Sequence, residues 1–212
     1  DGNFLPDSQI ESDAAEIEAL MDRYSLAIVV AFPEDGLTAH HLPLLRDGAD
    51  RLIGHVARAN PLHSQLEDGA EILATFRGEE AYISPNWYPS KPEHHRHVPT
   101  WNYRAVHVTG NIVFEHDEKS KRAIVGRLTK KHETALNGQQ AWRMADAPPD
   151  YMDEMLENIV AFRIEITSII AKSKLSQNRT TGDFKAVAEQ MDKAGKPDLA
   201  RRMKAIRYDS AI

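Results

Sequence analysis

Short runs of β-branched and aromatic residues follow one another along this chain at hairpin distances, with helical stretches inserted singly. This succession limits the fold more than any other feature. LAIVVAF (Leu26–Phe32) reads as a buried strand stopped by the turn Pro33-Glu34-Asp35-Gly36. LTAHHLPLLR (Leu37–Arg46) reads as a second strand, interrupted or at an edge because Pro43 has no amide to donate. Asp47-Gly48 marks a hairpin into RLIGHVA (Arg51–Ala57). EILATFR (Glu71–Arg77) and Ala81–Ser84 read as separate strands on either side of Gly78. YRAVHVTGNIVF (Tyr103–Phe114) reads as a long strand with a bulge or bend at Gly110, and IVAFRIEITSIIA (Ile159–Ala171) as the closing strand.

Helices are marked by their caps. Asp13-Ala14-Ala15-Glu16 is a capping box for a helix through Arg23, and Asn60-Pro61 starts a short one. Asp117 opens a helix to about Glu133, Pro148-Pro149 precedes one to about Asn158, and the chain from Asp183 is helical with breaks at Gly195 and Pro197. A doubly wound parallel sheet would alternate strand and helix throughout. Hairpin succession predicts instead a mainly β, α+β fold: a small antiparallel barrel with peripheral helices. We expect residues 1–180 to form the barrel domain and 181–212 a C-terminal helical extension.

Composition removes several function classes. The chain has no cysteine, which excludes disulfides, thiolate zinc sites and a cysteine nucleophile, and fits a reducing cytoplasm, the expected location. Its net charge of -6 disfavours a general affinity for polyphosphate, so direct DNA binding is not expected. No apolar run is long enough to span a bilayer, and the polar, acidic start of the chain is unlike a secretory signal, so no membrane association is expected.

The stretch Glu80–Val106 holds two of the three tryptophans, Trp87 and Trp101, among prolines that preclude a long helix. Large aromatics on a surface loop need a cover. Either they pack on themselves, or they offer flat faces to a flat, anionic, heteroaromatic ligand. A second candidate is HVARANP (His55–Pro61), where a strand runs into a helix start. Arg58 there is a bidentate phosphate donor, the helix amides add more donors, and Gly54 and Ala57 on the strand would let a ligand approach. A third is KSKLSQNR (Lys172–Arg179), a cationic exit from the last strand. His40 and His41 point to opposite faces of one strand, and Glu93–His97 (EHHRH) lacks regular geometry, so no metal site is expected.

GHVARANP (Gly54–Pro61), AYISPNWYPSK (Ala81–Lys91), VPTWNY (Val98–Tyr103), DAPPDYM (Asp146–Met152) and KLSQNR (Lys174–Arg179) together resemble the PaiB-type FMN-binding split-barrel family, described as negative transcriptional regulators. The resemblance implies a six-stranded split barrel, a homodimer, and FMN held at the interface between subunits. It implies cofactor contacts at His55, Ala57, Arg58, Asn60, Ser84, Trp87, Trp101, Lys174 and Gln177, with no catalytic residue identified. Two functional classes stay open: a flavin-binding regulator without turnover, and an FMN-dependent oxidoreductase of the flavin reductase or oxidase kind acting on a small molecule. A haem-binding split barrel is a third.

Overall fold

A computed structural model describes residues 6–209, so the first five residues of the polar start and the last three of the C-terminal stretch lie outside it. Seven strands form one sheet: β1 (Leu26–Ala31), β2 (Thr38–Pro43), β3 (Leu45–Arg46), β4 (Arg51–Ala57), β5 (Ala70–Ile83), β6 (Thr100–Glu115) and β7 (Ile159–Lys174). Their order is β2-β1-β5-β6-β7-β4-β3. β1 pairs antiparallel with β2 and β5, and β4 pairs antiparallel with β3 and β7. The helices are α1 (Ala14–Arg23), α2 (Leu62–Gln65), α3 (Lys91–His94), α4 (Glu118–Asn137), α5 (Pro149–Glu157), α6 (Thr181–Lys193) and α7 (Pro197–Asp209). No helix among the described residues is long and apolar enough to cross a membrane.

The chain divides into two compact units. A barrel unit comprises Met21–Phe76 with His107–Ile169, and a terminal unit comprises the remainder. In the barrel unit the two edges of the sheet, β2 and β3, are consecutive in sequence and separated only by the buried Leu44. The sheet therefore rolls until its edges meet across one residue, without a hydrogen-bonded seam. Pro43 has no amide to donate, and the next amide, Leu44 N–H, bonds Ser25 C=O in line with the β1–β2 register before β3 turns to β4. That break splits the expected second strand in two and makes seven strands rather than six, a split barrel in which the ladder does not close.

The barrel interior is filled by Val29, Leu52, Phe76, Val108, Ile112, Phe162 and Ile164, all essentially without exposure. Each such side chain contributes roughly 1.5–3 kcal/mol relative to leaving it in water. Outside the barrel, Ile124 and Leu128 of α4 pack on Ile53 and Ala161. Asp117 caps α4 by accepting from Ser120 N–H, as Asp13 caps α1 through Ala15 and Glu16 N–H.

The terminal unit holds a second core, in which Ile83, Tyr88 and Leu175 pack with Phe184, Val187 and Met191 of α6 and with Leu199 and Met203 of α7. One sequence expectation about a glycine fails for a packing reason. Gly78 does not separate two strands: β5 runs through it, and its missing side chain leaves room for Leu20 of α1, 3.3 Å from where a Cβ would stand. Gly110 lies within the single long strand β6 and lets the Glu165 carbonyl come within 2.5 Å of its absent Cβ.

Candidate functional site

Four of the nine expected cofactor residues sit where β4 enters α2 in the barrel unit. Alternation along β4 puts His55 and Ala57 on one face. The Nδ1 of His55 is buried without a hydrogen-bond partner among the described residues. Burial also pushes its pKa down, so the ring is neutral near pH 7, with one nitrogen to donate and one to accept. Gly54 plays a different part from the one expected. Its missing side chain is filled by the Phe162 ring, 2.6 Å from a built Cβ, so it serves the core rather than a ligand.

Arg58 leaves the strand end with its Nε donating to the Glu157 carbonyl and its own amide donating to Asn158 C=O at 2.8 Å. Its two terminal nitrogens have no partner among the described residues. Lys121 of α4 donates to the neighbouring Leu156 carbonyl at 3.2 Å, and burial together with the Arg58 charge lowers its pKa. The two cations thus converge on the C-terminal carbonyls of α5, where positive charge is favoured. Arg58 is held in one orientation with a free fork.

The helix-amide part of the expectation fails. α2 is a single turn of four residues, and the Asn60 Oδ1 already accepts from Leu62 N–H at 2.9 Å. The Asn60 amide nitrogen meets His40 Nδ1 at 3.2 Å, so both ends of Asn60 are engaged within the protein.

The other five expected residues lie in the terminal unit. Ser84 caps a 3-10 turn by accepting from Asn86 N–H, and Trp87 on that turn packs against the α6–α7 core. Trp101 is 52% exposed and meets Tyr82 edge-to-face at 5.8 Å. The aromatic stretch therefore divides: Tyr88 and Trp87 are core, while Tyr82 and Trp101 offer open faces. Lys174 and Gln177 do come together, lining a polar cavity of about 80 Å³ with Thr100, Asn102, Ser176 and Arg179. Lys174 Nζ donates to Thr100 Oγ1 at 2.9 Å, whereas Gln177 is spent on the backbone of Leu175 and Ser173. The cavity has the size of a small anion or a few waters, not of a flavin.

Sequence reasoning missed several residues. Tyr82 stood within the aromatic stretch but was not singled out as the ring partner of Trp101. His97, at the end of the Glu93–His97 segment for which no metal site was expected, meets Ser90 Oγ through Nε2 at 2.9 Å and Arg179 through Nδ1 at 3.3 Å, while Ser90 Oγ donates to the buried Asp183 at 2.6 Å. Arg179 stood in the KLSQNR motif, so its signal was present. Among the described residues no three His, Asp or Glu side chains are grouped to hold a metal ion.

The comparisons agree with this architecture. A family model described as "Putative FMN-binding domain" matches residues 4–168. The chain is 31% identical over 210 residues, 97% of each sequence, to the "Protease synthase and sporulation protein PAI 2" of Bacillus subtilis (strain 168). Among solved structures it is similar to the flavocytochrome Anf3 from Azotobacter vinelandii, with TM-score 0.61, 17% identity and coverage of 84% of this chain and 75% of that one. It is also similar to the FAD and haem binding protein from Mycobacterium smegmatis, with TM-score 0.59, 16% identity and coverage of 84% and 80%. At such identities these two carry the fold alone.

Proposed function

From the premise that this chain belongs to the PaiB-type family of FMN-binding domain proteins, we propose that it holds FMN through its phosphate at Arg58, with His55 and Ala57 on the adjoining strand face and Asn60 setting the turn. The observations that support this reading are the free fork of Arg58, oriented by the Glu157 carbonyl, and, three residues back on the chain, the buried Nδ1 of His55 with no partner among the described residues. A buried polar atom without a partner costs stability unless a ligand completes it. The five expected residues of the terminal unit form a set of their own, in which Trp101 has the exposed face that stacking a flat ring requires.

When bound, FMN supplies one- and two-electron redox chemistry. The residues of this chain orient it: Arg58 fixes charge, and neutral His55 offers a donor and an acceptor without adding charge. Arg58→Ala should weaken FMN binding by about 1.5–3 kcal/mol, the worth of hydrogen bonds to a charged group. Fluorescence titration of FMN into both proteins checks this, and equal affinities would overturn the assignment. Oxidation of reduced nicotinamide with FMN present then separates an oxidoreductase from a regulator without turnover.

We further propose a two-fold homodimer in the cytoplasm. Its support is the set of exposed apolar side chains on the barrel unit, where Phe32 is 76%, Leu37 72% and Leu26 64% exposed. Light scattering at micromolar concentration with FMN present should give twice the chain mass, and a monomer mass would sink the proposal. A direct grip on duplex DNA has little support. On α4, Arg122 is paired with Glu118 and Asp153, Arg127 with Asp47, and Lys131 with Asp22. Regulation of the kind that the family resemblance implies would then act through the flavin or a protein partner, which a promoter-binding assay at physiological salt tests.

A further inference from the structure

That pairing leaves a conspicuous remainder. Lys130, on the same helix, has no partner among the described residues, and it stands on the wall of an open cleft of about 780 Å³ in the barrel unit. The cleft arises from how α4 ends. At Gly138, with φ +55°, the chain reverses and runs back along the helix. It is anchored twice. Trp142 N–H donates to Glu133 Oε2 at 2.9 Å, an oxygen that also accepts from Asn137 at 2.8 Å. Further along, the Met144 sulfur rests 3.5 Å from the place where Gly126 would carry a Cβ.

Between these anchors the walls are chemically mixed in a specific way. Trp142 is 42% exposed and gives a flat apolar surface. Gln139 and Gln140 present amides, each able to donate and accept. Thr129 and Thr134 add hydroxyls from the helix. Arg143 is tied to Asp146 at 3.3 Å, and the Glu133 carboxylate is engaged by Trp142 and Asn137, which leaves Lys130 as the cation of the cleft without a partner among the described residues. One flat aromatic wall, paired amides and a single free cation match a ligand with a planar, hydrogen-bonding ring and an anionic group.

We infer that this cleft is a second ligand site, separate from the FMN residues, that binds a nucleoside monophosphate: base against Trp142 with its polar edge on Gln139 and Gln140, phosphate on Lys130. The inference does not rest on the Arg58 reading of the flavin site.

Calorimetry on the FMN-loaded whole chain tests it with adenosine 5′-monophosphate, adenosine and inorganic phosphate. The nucleotide should bind saturably and more tightly than either half. Lys130→Glu should weaken the nucleotide roughly tenfold or more while sparing adenosine, because it removes only the charge contact. Trp142→Leu should weaken both nucleotide and adenosine. Lys119→Glu, on the same helix and outside the cleft, should change neither. No saturable binding, or an equal loss in Lys119→Glu, would overturn the proposal. So would a parallel loss of FMN affinity in Lys130→Glu, which would assign the cleft to the flavin. Loss of FMN binding in Arg58→Ala with nucleotide binding intact would bear on the flavin reading alone.

Discussion

Gly110→Ala is expected to destabilise the protein by about 3 kcal/mol, the upper end of what overpacking a core usually costs. The obstacle is backbone: a Cβ on Gly110 would stand 2.5 Å from the Glu165 carbonyl oxygen and 2.6 Å from Ile164 Cγ2, both on β7. No rotamer change relieves a clash with a main-chain oxygen, so β6 and β7 must separate. Two other glycines calibrate the result. Gly54→Ala meets the Phe162 ring, a side chain with some freedom to tilt, and should cost less. Gly126→Ala meets only the Met144 sulfur at 3.5 Å, ordinary contact, and gains helix propensity of up to about 1 kcal/mol. Urea unfolding should rank the midpoints in that order, and a Gly110→Ala midpoint equal to that of Gly126→Ala would refute the close approach.

Glu16→Ala is expected to cost about 3–5 kcal/mol, as removing one partner of a buried ion pair does. Glu16 Oε2 meets Arg104 Nη2 at 2.9 Å, and the Arg104 side chain is 3% exposed. Arg201 grips the same carboxylate at 2.8 and 3.0 Å. Nearby, Arg202 binds Glu11 through both oxygens, and Ser173 donates to Glu11 as well. The hydrogen bond from Arg201 is the main cause holding the Glu16 pKa down to about 2, helped by the charges of Arg104, Arg201 and Arg202 and opposed by burial. A depressed carboxylate stabilises the fold fully above its ordinary value of 4.5 and loses that contribution as pH falls towards 2. The loss is about 2–3 kcal/mol, less than the whole shift because part of the carboxylate faces water. Urea midpoints measured across this range should fall more steeply for the parent protein than for Glu16→Ala. Parallel curves would show that another group controls acid unfolding.

What could be read from the sequence was local. Asp13 and Asp117 as caps, Pro43 as a ladder break and Asp47-Gly48 as a hairpin each act on residues within a turn, and each is found in that role. The failures are contacts between distant segments. Gly78 resembles a strand breaker until Leu20 is seen to occupy the space beside it, and Gly54 resembles a ligand platform until Phe162 fills it. The site divides in the same way. The position of Arg58 at a strand end was legible, but its restraint by Glu157 depends on a segment far along the chain. Likewise Tyr88 and Trp101 are indistinguishable as loop aromatics. α6 and α7 bury one and leave the other open, and no local pattern encodes that choice.

The terminal unit joins the two ends of the described chain, and this sets a timetable for biosynthesis. A ribosome delivers Glu16 long before Arg201, so their ion pair forms only after α7 has been made. Ile83 and Tyr88 likewise wait, uncovered, for Leu199 and Met203. The barrel unit ends at Ile169 and has all its residues before α6 is made. A nascent chain therefore passes through a stage in which the barrel's parts are all present while Ile83, Tyr88 and Leu175 still lack their partners. In that interval these side chains are a natural target for chaperones and proteases.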